Sequence, residues 1–126
     1  MARILLVEDD LSVHSLMEHI MLEGGYEVAI AESMASGVAL ITSEPFDLAI
    51  CDVKLPDGSG LLVAAHAIMK RCPVLVITGY GLSIRPATLA PYDYLLKPIR
   101  SDELLASIER SLAEKDGDAR DARELT

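Results

Sequence analysis

Residues 48–58 read LAICDVKLPDG, an apolar run that ends in a carboxylate and leads into a loop containing proline and glycine. An unbroken apolar run of this length is typical of a strand covered on both faces, as in a parallel sheet. Asp52 would then lie at the carboxyl end of the strand, beside the crevice in which open α/β sheets bind ligands. A single aspartate in that position does not by itself identify a site.

Three further apolar runs also end in residues with reactive side chains. Residues 3–7 lead into Glu8, Asp9 and Asp10, residues 74–77 into Thr78, and residues 92–96 into Lys97. Right-handed crossovers place the first and third strands side by side, so that the first acids and Asp52 converge. Acids, a hydroxyl group and an amine at one edge of a sheet indicate a site for a cation and a phosphoryl group.

The alternation of strands and helices predicts an α/β fold with helices on both faces of a parallel sheet. The predicted strands are residues 3–8, 26–31, 47–52, 74–78 and 92–96, and residues 53–60 are predicted to be a loop. Residues 1–115 are expected to form one domain. Residues 116–126 are polar and charged, and they are expected to form a flexible tail.

Apolar residues at helical spacing predict which face each helix buries. The expected inward residues are Val13, Leu16, Met17, Ile20 and Met21 in the first helix, Met34, Val38 and Ile41 in the second, Leu61, Ala65, Ile68 and Met69 in the third, and Leu104, Leu105, Ile108 and Leu112 in the last. His14 and His19 are expected on the surface, because their spacing does not suit a pair of metal ligands.

The composition narrows the class of protein. The 126 residues suffice for one domain, and 20 acids against 11 bases give a net charge of −9, which argues against direct binding to nucleic acid. Cys51 and Cys72 lie in apolar surroundings without metal-type spacing, so we expect reduced core residues rather than a disulfide. Because no leader or membrane-length apolar run is evident, we expect a cytoplasmic protein without membrane contact.

The clustered acids indicate a metal site, because carboxylates repel one another unless a cation joins them. Oxygen ligands favour Mg²⁺, which keeps several waters and is often completed by a phosphate oxygen. We expect Asp9, Asp52 and the carbonyl oxygen of Lys54 as direct ligands, with Glu8 acting through water.

Asp52 is also the expected nucleophile, since a carboxylate oxygen can accept a phosphoryl group and form an aspartyl phosphate. Phosphoryl transfer depends on in-line positioning and on neutralisation of the phosphoryl oxygens. Besides the metal, Lys97 would pair with one of these oxygens and the Thr78 hydroxyl would donate to another.

Together these residues resemble the receiver domains of two-component response regulators. The matching motifs, within residues 2–115, are Val7-Glu8-Asp9, Asp52 followed by Leu55-Pro56-Asp57-Gly58, Thr78, Tyr94 and Lys97-Pro98. The resemblance implies a doubly wound, flavodoxin-like sheet of five parallel strands in the order 2-1-3-4-5, as in the chemotaxis regulator. It also implies that Asp52 accepts phosphate from a histidine kinase or a histidine phosphotransfer protein.

The resemblance implies two local features as well. Tyr94 matches the switch aromatic of the family, which turns inward when Thr78 moves toward the phosphate. The peptide bond between Lys97 and Pro98 is expected to be cis, which costs an X-Pro bond about 0.5–1 kcal/mol and would aim the Lys97 amine over Asp52.

The chain departs from the family between Thr78 and Lys97, where it is shorter by about one helical turn, roughly 3.6 residues. Residues 79–91 contain two glycines and two prolines, so the fourth helix is expected to be short or missing. We expect phosphorylation to order this segment together with Tyr94. The string VITGY, residues 76–80, also resembles a subgroup of stand-alone receivers in alphaproteobacterial stress signalling.

No output domain is evident after residue 115, so the expected function is that of a single-domain regulator, not an enzyme, that switches a contact with an effector protein. Lys54 and Tyr80 follow Asp52 and Thr78 by two residues and are expected to prolong the phosphoryl lifetime by obstructing water. Two alternatives remain open. One is a phosphorelay carrier or phosphate sink; the other is a phosphatase with a nucleophilic aspartate, although such enzymes usually carry a second acid where Lys54 stands.

Overall fold

The computed structural model describes residues 1–79 and 92–124, with side chains described as far as Glu114. The strands in these residues are β1 (Arg3–Val7), β2 (Glu27–Ala31), β3 (Leu48–Asp52), β4 (Lys54–Leu55), β5 (Gly58–Ser59), β6 (Val74–Thr78) and β7 (Asp93–Leu96). The helices are α1 (Leu11–Glu23), α2 (Met34–Ser43), α3 (Gly60–Met69) and α4 (Ser101–Glu124). The expected fourth helix, the segment 79–91 beyond Gly79, and Tyr80 lie outside the described residues.

Five strands form one parallel sheet in the order β2-β1-β3-β6-β7. When only the five strands of this sheet are numbered along the chain, leaving out β4 and β5, the order is the predicted 2-1-3-4-5. The flavodoxin-like fold class is therefore confirmed. In the register of β1 and β3, Val7 lies opposite Cys51. The residues that follow these two positions, Glu8 and Asp52, are therefore neighbours at the carboxyl edge of the sheet.

The apolar strands are buried on both faces because alternate residues point into two separate cores. In β1, Leu5 and Val7 belong to one core, while Ile4 and Leu6 belong to the other. Helices α2 and α3 cover the first core with Ile41, Val63, Ala64 and Ala67. Helices α1 and α4 cover the second with Met17, Ile20, Met21, Leu104 and Ile108.

Both cysteines lie in the first of these cores. Cys51 and Cys72 are buried and neither forms a disulfide, as predicted. Burial raises the pKa of the Cys51 thiol, which keeps it protonated.

The buried face of α1 differs from the prediction at two positions. Met17, Ile20 and Met21 are buried as expected, but Leu16 is 52% exposed and His14 is buried. The expectation that His14 lies on the surface is therefore wrong. Its Nε2 lies 3.5 Å from Oε1 of Glu32, on the segment that follows β2, so the imidazole fills the space between the helix and that segment.

The predicted buried face of α3 is wrong at Ala65, Ile68 and Met69, which are exposed, while Leu61 packs against the core as expected. Val63, Ala64 and Ala67 pack into the core, whereas Ile68 and Met69 are 48% and 80% exposed. Residues 60–69 are apolar almost all round the helix, so periodicity does not select a face. Small side chains decide the packing instead, because they allow α3 to approach α2 closely: a Cβ atom added to Gly37 would lie 2.9 Å from Cγ2 of Val63.

The segment predicted as a loop at residues 53–60 contains a short antiparallel ribbon. Strands β4 and β5 pair Lys54 with Ser59 and Leu55 with Gly58. This ribbon lies between β3 and α3 and carries the backbone of Lys54 past the edge of the sheet.

At the other end of the chain, the backbone of α4 continues as a helix to Glu124, past residue 115 where the sequence indicates the beginning of a tail. The boundary of the domain at residue 115 and the flexibility of residues 116–126 remain predictions. Within residues 1–79 and 92–124, no helix combines the length and the hydropathy that a membrane span requires.

Candidate functional site

A cavity of about 410 Å³ opens at the carboxyl edge of the sheet, where β1, β3 and β6 end. It is lined by Glu8, Asp9, Asp10, Asp52, Lys54, Leu55, Pro56, Gly79 and Lys97. The residues come from four separate chain segments. The convergence of the first acids, Asp52 and Lys97 that the strand ends predict is therefore observed.

Asp52 lies buried at the end of β3, and each of its carboxylate oxygens has a different partner. The backbone N–H of Lys54 donates to Oδ1 at 3.2 Å, and the Nζ of Lys97 donates to Oδ2 at 2.8 Å. Gly60 lies directly against the backbone of Asp52, because a Cβ atom added to Gly60 would overlap the Asp52 carbonyl oxygen. The carboxylate is thus held at the cavity by one amide and one amine.

Glu8 is a fully buried carboxylate at the end of β1. Its Oε1 accepts a hydrogen bond from the backbone N–H of Asp10 at 3.2 Å, and its Oε2 lies 2.9 Å from Nζ of Lys97. Burial, together with the neighbouring carboxylate of Asp52, raises the pKa of Glu8 from 4.5 to about 7, although the contacts with Lys97 and with the backbone N–H of Asp10 act in the opposite direction. A negative charge on Glu8 is therefore costly unless another cation is present.

The carboxylates of Glu8, Asp9 and Asp52 offer ligand oxygens that all lie within 4.8 Å of one another. Glu8 and Asp52 are buried and Asp9 is exposed, so the cluster has a closed side and an open side. Three carboxylates around one lysine leave an excess of negative charge, and an all-oxygen donor set with an open side fits Mg²⁺. The donor set therefore fits the metal that the sequence predicts.

Lys97 lies between the two buried carboxylates, and its peptide bond to Pro98 is cis, as predicted. The backbone N–H of Lys97 donates to the carbonyl oxygen of Thr78 at 2.9 Å, which fixes the residue to the end of β6. Partial burial alone would lower the pKa of Lys97, but hydrogen bonds and charge attraction from Asp52 and Glu8 outweigh it and raise the pKa. The amine thus stays protonated beside Asp52.

Three other predicted residues lie on β4, β6 and β7. Thr78 is buried at the end of β6, paired with Leu96 in the register of the sheet, and is not part of the cavity lining. Tyr94 is 45% exposed on β7, and Lys54 has an exposed side chain at the rim. The proposed actions of these three residues remain predictions.

Sequence reasoning assigned no contact to Asp57. Its carboxylate accepts hydrogen bonds from the backbone N–H groups of Met34 at 2.7 Å and of Ala35 at 3.0 Å. These two hydrogen bonds hold the pKa of Asp57 below its ordinary value. The string Pro56-Asp57-Gly58 signals a turn, but nothing in a local string indicates a partner more than twenty residues away.

Comparison with known proteins matches residues 4–109 to the family model described as the response regulator receiver domain. Among solved structures, a CheY-like receiver domain protein from Methanospirillum hungatei JF-1 has a TM-score of 0.84 and 33% identity, covering 94% of this chain and 98% of that one. The response regulator TrrA from Thermotoga maritima, solved in complex with Mg²⁺-BeF, has a TM-score of 0.80 and 29% identity, covering 89% of this chain and 100% of that one.

A curated relative is the transcriptional regulatory protein ZraR of Escherichia coli K12, which is 33% identical over 115 residues, or 87% of this chain. The match covers only 26% of ZraR, so the chain spans about a quarter of the length of that relative. The likeness to ZraR therefore concerns one part of a larger protein.

Proposed function

Because this chain belongs to the response regulator receiver domain family, we propose that Asp52 accepts a phosphoryl group from a histidine kinase or a histidine phosphotransfer protein. An oxygen of the Asp52 carboxylate forms a bond to phosphorus as the phosphorus–nitrogen bond of the donor phosphohistidine breaks. The donor imidazole, which carries a proton on its other nitrogen, keeps the electron pair of that bond and leaves as a neutral imidazole. The product is an aspartyl phosphate on this chain.

The contact of 2.8 Å between Nζ of Lys97 and Oδ2 of Asp52 is the observation that carries this proposal. An amine in this place forms a charge-assisted hydrogen bond with the carboxylate and lies ready to pair with a phosphoryl oxygen. The Thr78 hydroxyl, at the next strand end, would donate to a second oxygen. Transfer itself needs no general acid here, which agrees with the positively charged Lys54 two residues after Asp52.

Magnesium would be held by Asp9, Asp52 and the Lys54 carbonyl oxygen, with Glu8 acting through water. When bound, it would neutralise charge on the phosphoryl oxygens. Two observations support this assignment: three carboxylates lie within 4.8 Å of one another, and a related regulator, TrrA, was solved with Mg²⁺-BeF. The buried carboxylate of Glu8 and the raised pKa that results from its burial are consistent with a site completed by a cation.

We further propose that phosphorylation switches the binding of an effector protein through Thr78 and Tyr94. Phosphorylation adds about −1.5 to −2 charges and new acceptor oxygens beside Thr78 and Lys97. Tyr94 is half-exposed on β7, from which it could turn inward once Thr78 moves. Lys54 and Tyr80 would lengthen the phosphoryl lifetime by obstructing water.

The substitution Asp52→Asn tests the phosphoacceptor directly. Labelling with radioactive acetyl phosphate should give about one equivalent on the natural protein and none on the variant, because the amide cannot form the acyl phosphate. Asp47→Asn is the matched control, since Asp47 lies at the opposite edge of the sheet, where it accepts a hydrogen bond from the backbone of Arg3. Equal labelling of Asp52→Asn and Asp47→Asn would overturn the assignment.

The same reaction distinguishes the alternatives. A phosphatase would release inorganic phosphate catalytically from added esters, whereas a receiver stops at about one equivalent of labelled protein; the family match favours the receiver. A phosphate sink would be labelled without gaining a partner. A pull-down with and without beryllofluoride and Mg²⁺ would separate it from a regulator, because only a regulator acquires a partner selective for the activated form.

A further inference from the structure

We propose that Asp57 is a positioning residue for the phosphoacceptor site, because its carboxylate ties the loop that carries Lys54 to the first turn of α2. This inference rests on the proposed function, in which the Lys54 carbonyl oxygen is a metal ligand. It adds a residue that contacts neither the metal nor the phosphoryl group and acts only through the backbone between β3 and α3.

The tie consists of two hydrogen bonds from one carboxylate. Oδ1 of Asp57 accepts from the N–H of Met34 at 2.7 Å, and Oδ2 accepts from the N–H of Ala35 at 3.0 Å. A carboxylate at the beginning of a helix also interacts favourably with the helix dipole. In addition, a Cβ atom on Gly58 would lie 2.7 Å from Sδ of Met34, so the loop is packed against the helix as well as bonded to it.

Helix α2 has a cap of its own, which makes the role of Asp57 distinct from capping. Ser33 and Ser36 form a capping box, in which Oγ of Ser33 accepts from the N–H of Ser36 at 3.1 Å. The N–H of Gly37 donates to the carbonyl oxygen of Ser33. These contacts leave the first two N–H groups of the helix for the carboxylate from the loop.

The ribbon of β4 and β5 connects this tie to the site. Asp57 lies in the turn of the ribbon, and the pairing of Lys54 with Ser59 begins three residues before it. Leu55 is buried in the core and the N–H of Gly60 donates to the carbonyl oxygen of Val53 at 2.9 Å, so the base of the ribbon is fixed. With its base and its turn both held, the peptide unit of Lys54 has little freedom to move away from Asp52, to which its N–H donates at 3.2 Å.

Calorimetric Mg²⁺ titrations of the natural protein, Asp57→Ala, Asp57→Asn and Asp47→Ala test this role. Loss of a residue that orients a metal ligand typically weakens metal binding about 10–100-fold, and we expect the lower end for Asp57→Ala because it acts through the backbone. Asp57→Asn keeps one acceptor oxygen and should fall between Asp57→Ala and the natural protein. Asp47→Ala removes a comparable carboxylate-to-backbone bond, to Arg3 at 2.8 Å, and should leave Mg²⁺ affinity unchanged.

Amide exchange provides a readout that a merely structural role would not move. Binding energies couple reciprocally, so if the tie favours Mg²⁺ binding, Mg²⁺ must strengthen the tie by the same factor. The N–H groups of Met34 and Ala35 should therefore exchange about tenfold more slowly with saturating Mg²⁺, while the N–H of Ser36, capped by Ser33, should change less.

The outcomes separate this inference from the proposed function. Absence of Mg²⁺ binding and of labelling in the natural protein would overturn the proposed function. Normal binding and labelling of the natural protein, with Asp57→Ala equal to it, would overturn the positioning role alone. Equal losses of Mg²⁺ affinity in Asp57→Ala and Asp47→Ala would also overturn it, because the effect would then be one of general stability. Exchange rates at Met34 and Ala35 that do not change with Mg²⁺ would overturn it as well, because the tie would then not be coupled to the metal site.

Discussion

Glu8 is a buried carboxylate that faces one lysine and a second carboxylate, and this imbalance determines its protonation. Removal from water disfavours its charge, and Asp52 disfavours it further. The ion pair with Lys97 offsets only part of that cost, since Lys97 also forms an ion pair with Asp52. The same imbalance leaves Glu8, Asp9 and Asp52 together with an excess of negative charge, which a divalent cation would offset.

In the absence of metal, the titration of Glu8 should be visible in the pH dependence of the free energy of unfolding. Its pKa in the folded protein, about 7, lies above the ordinary 4.5, so the folded state binds the proton more tightly than the unfolded state. The stabilisation is complete below pH 4.5 and is lost as the pH rises through 7. It amounts to roughly 3–4 kcal/mol, since one pKa unit corresponds to about 1.4 kcal/mol.

Urea unfolding in EDTA of the natural protein and of Glu8→Gln checks this prediction. Contributions shared by the two proteins cancel in the difference between their free energies of unfolding. As the pH rises from 4.5 to 7, the natural protein should lose stability relative to Glu8→Gln, and above pH 7 the difference should level off. A difference that is constant over this range would show that Glu8 does not titrate in the folded state as its burial implies.

The connection between β3 and α3 returns at Gly60 to close contact with the backbone at the end of β3. The backbone N–H of Gly60 donates to the carbonyl oxygen of Val53 while its Cα lies against the Asp52 carbonyl group. This close approach brings the first residue of α3 directly against the backbone of Asp52. Any side chain at position 60 must therefore displace backbone at the site itself.

Gly60→Ala and Gly37→Ala form a matched pair, since both glycines are helical and buried. A Cβ atom at position 60 would overlap backbone, whereas at position 37 the nearest atoms are methyl groups of Val63 at 2.9 Å and Val7 at 3.2 Å, which can shift. Alanine gains roughly 1 kcal/mol of helix propensity in a helix interior, as at position 37, and less at position 60, which is the first residue of α3. Gly60→Ala should therefore destabilise by more than about 3 kcal/mol, and Gly37→Ala by less than about 2 kcal/mol.

Urea midpoints measure both effects. Similar midpoints for the two variants would contradict the prediction and would mean that the segment between β3 and α3 relaxes freely. Labelling of any folded Gly60→Ala protein should also be slower, because the backbone of Asp52 must move.

For the molecule as a whole, the site exists only when the strands that carry it are paired. Glu8 follows β1, Asp52 ends β3, and Lys97 follows β7 while bonding to the end of β6. An unfolded chain cannot hold these groups together, so Mg²⁺ should bind the folded state alone. Metal binding should then appear as global stability.

Mg²⁺ at 100 times its Kd should raise the free energy of unfolding by about 2.7 kcal/mol relative to EDTA. Asp9→Asn removes one anionic ligand oxygen and should require a higher Mg²⁺ concentration for the same gain, whereas Asp47→Asn should respond like the natural protein. Urea unfolding across a Mg²⁺ series measures all three. An Asp9→Asn response that superimposes on the natural one would remove Asp9 from the ligand set.

The parallel sheet and the polar residues at its carboxyl edge follow from the amino-acid sequence. Apolar runs without alternation require strands covered on both faces, and chain connectivity then forces their polar ends to one edge. For this reason the sequence predicts that Glu8, Asp52 and Lys97 lie close together. The prediction that the peptide bond before Pro98 is cis rests instead on the resemblance to the receiver family.

Where the local pattern is ambiguous, packing between elements determines which side chains are buried. Apolar side chains lie almost all round α3, so periodicity does not determine which of them are buried. Val63 and Ala67 face the core because small side chains allow α2 to approach closely. His14 is buried because the segment containing Glu32 packs against α1. The bond from Asp57 to α2 joins residues more than twenty positions apart, and such a contact depends on packing between elements, which no local periodicity encodes.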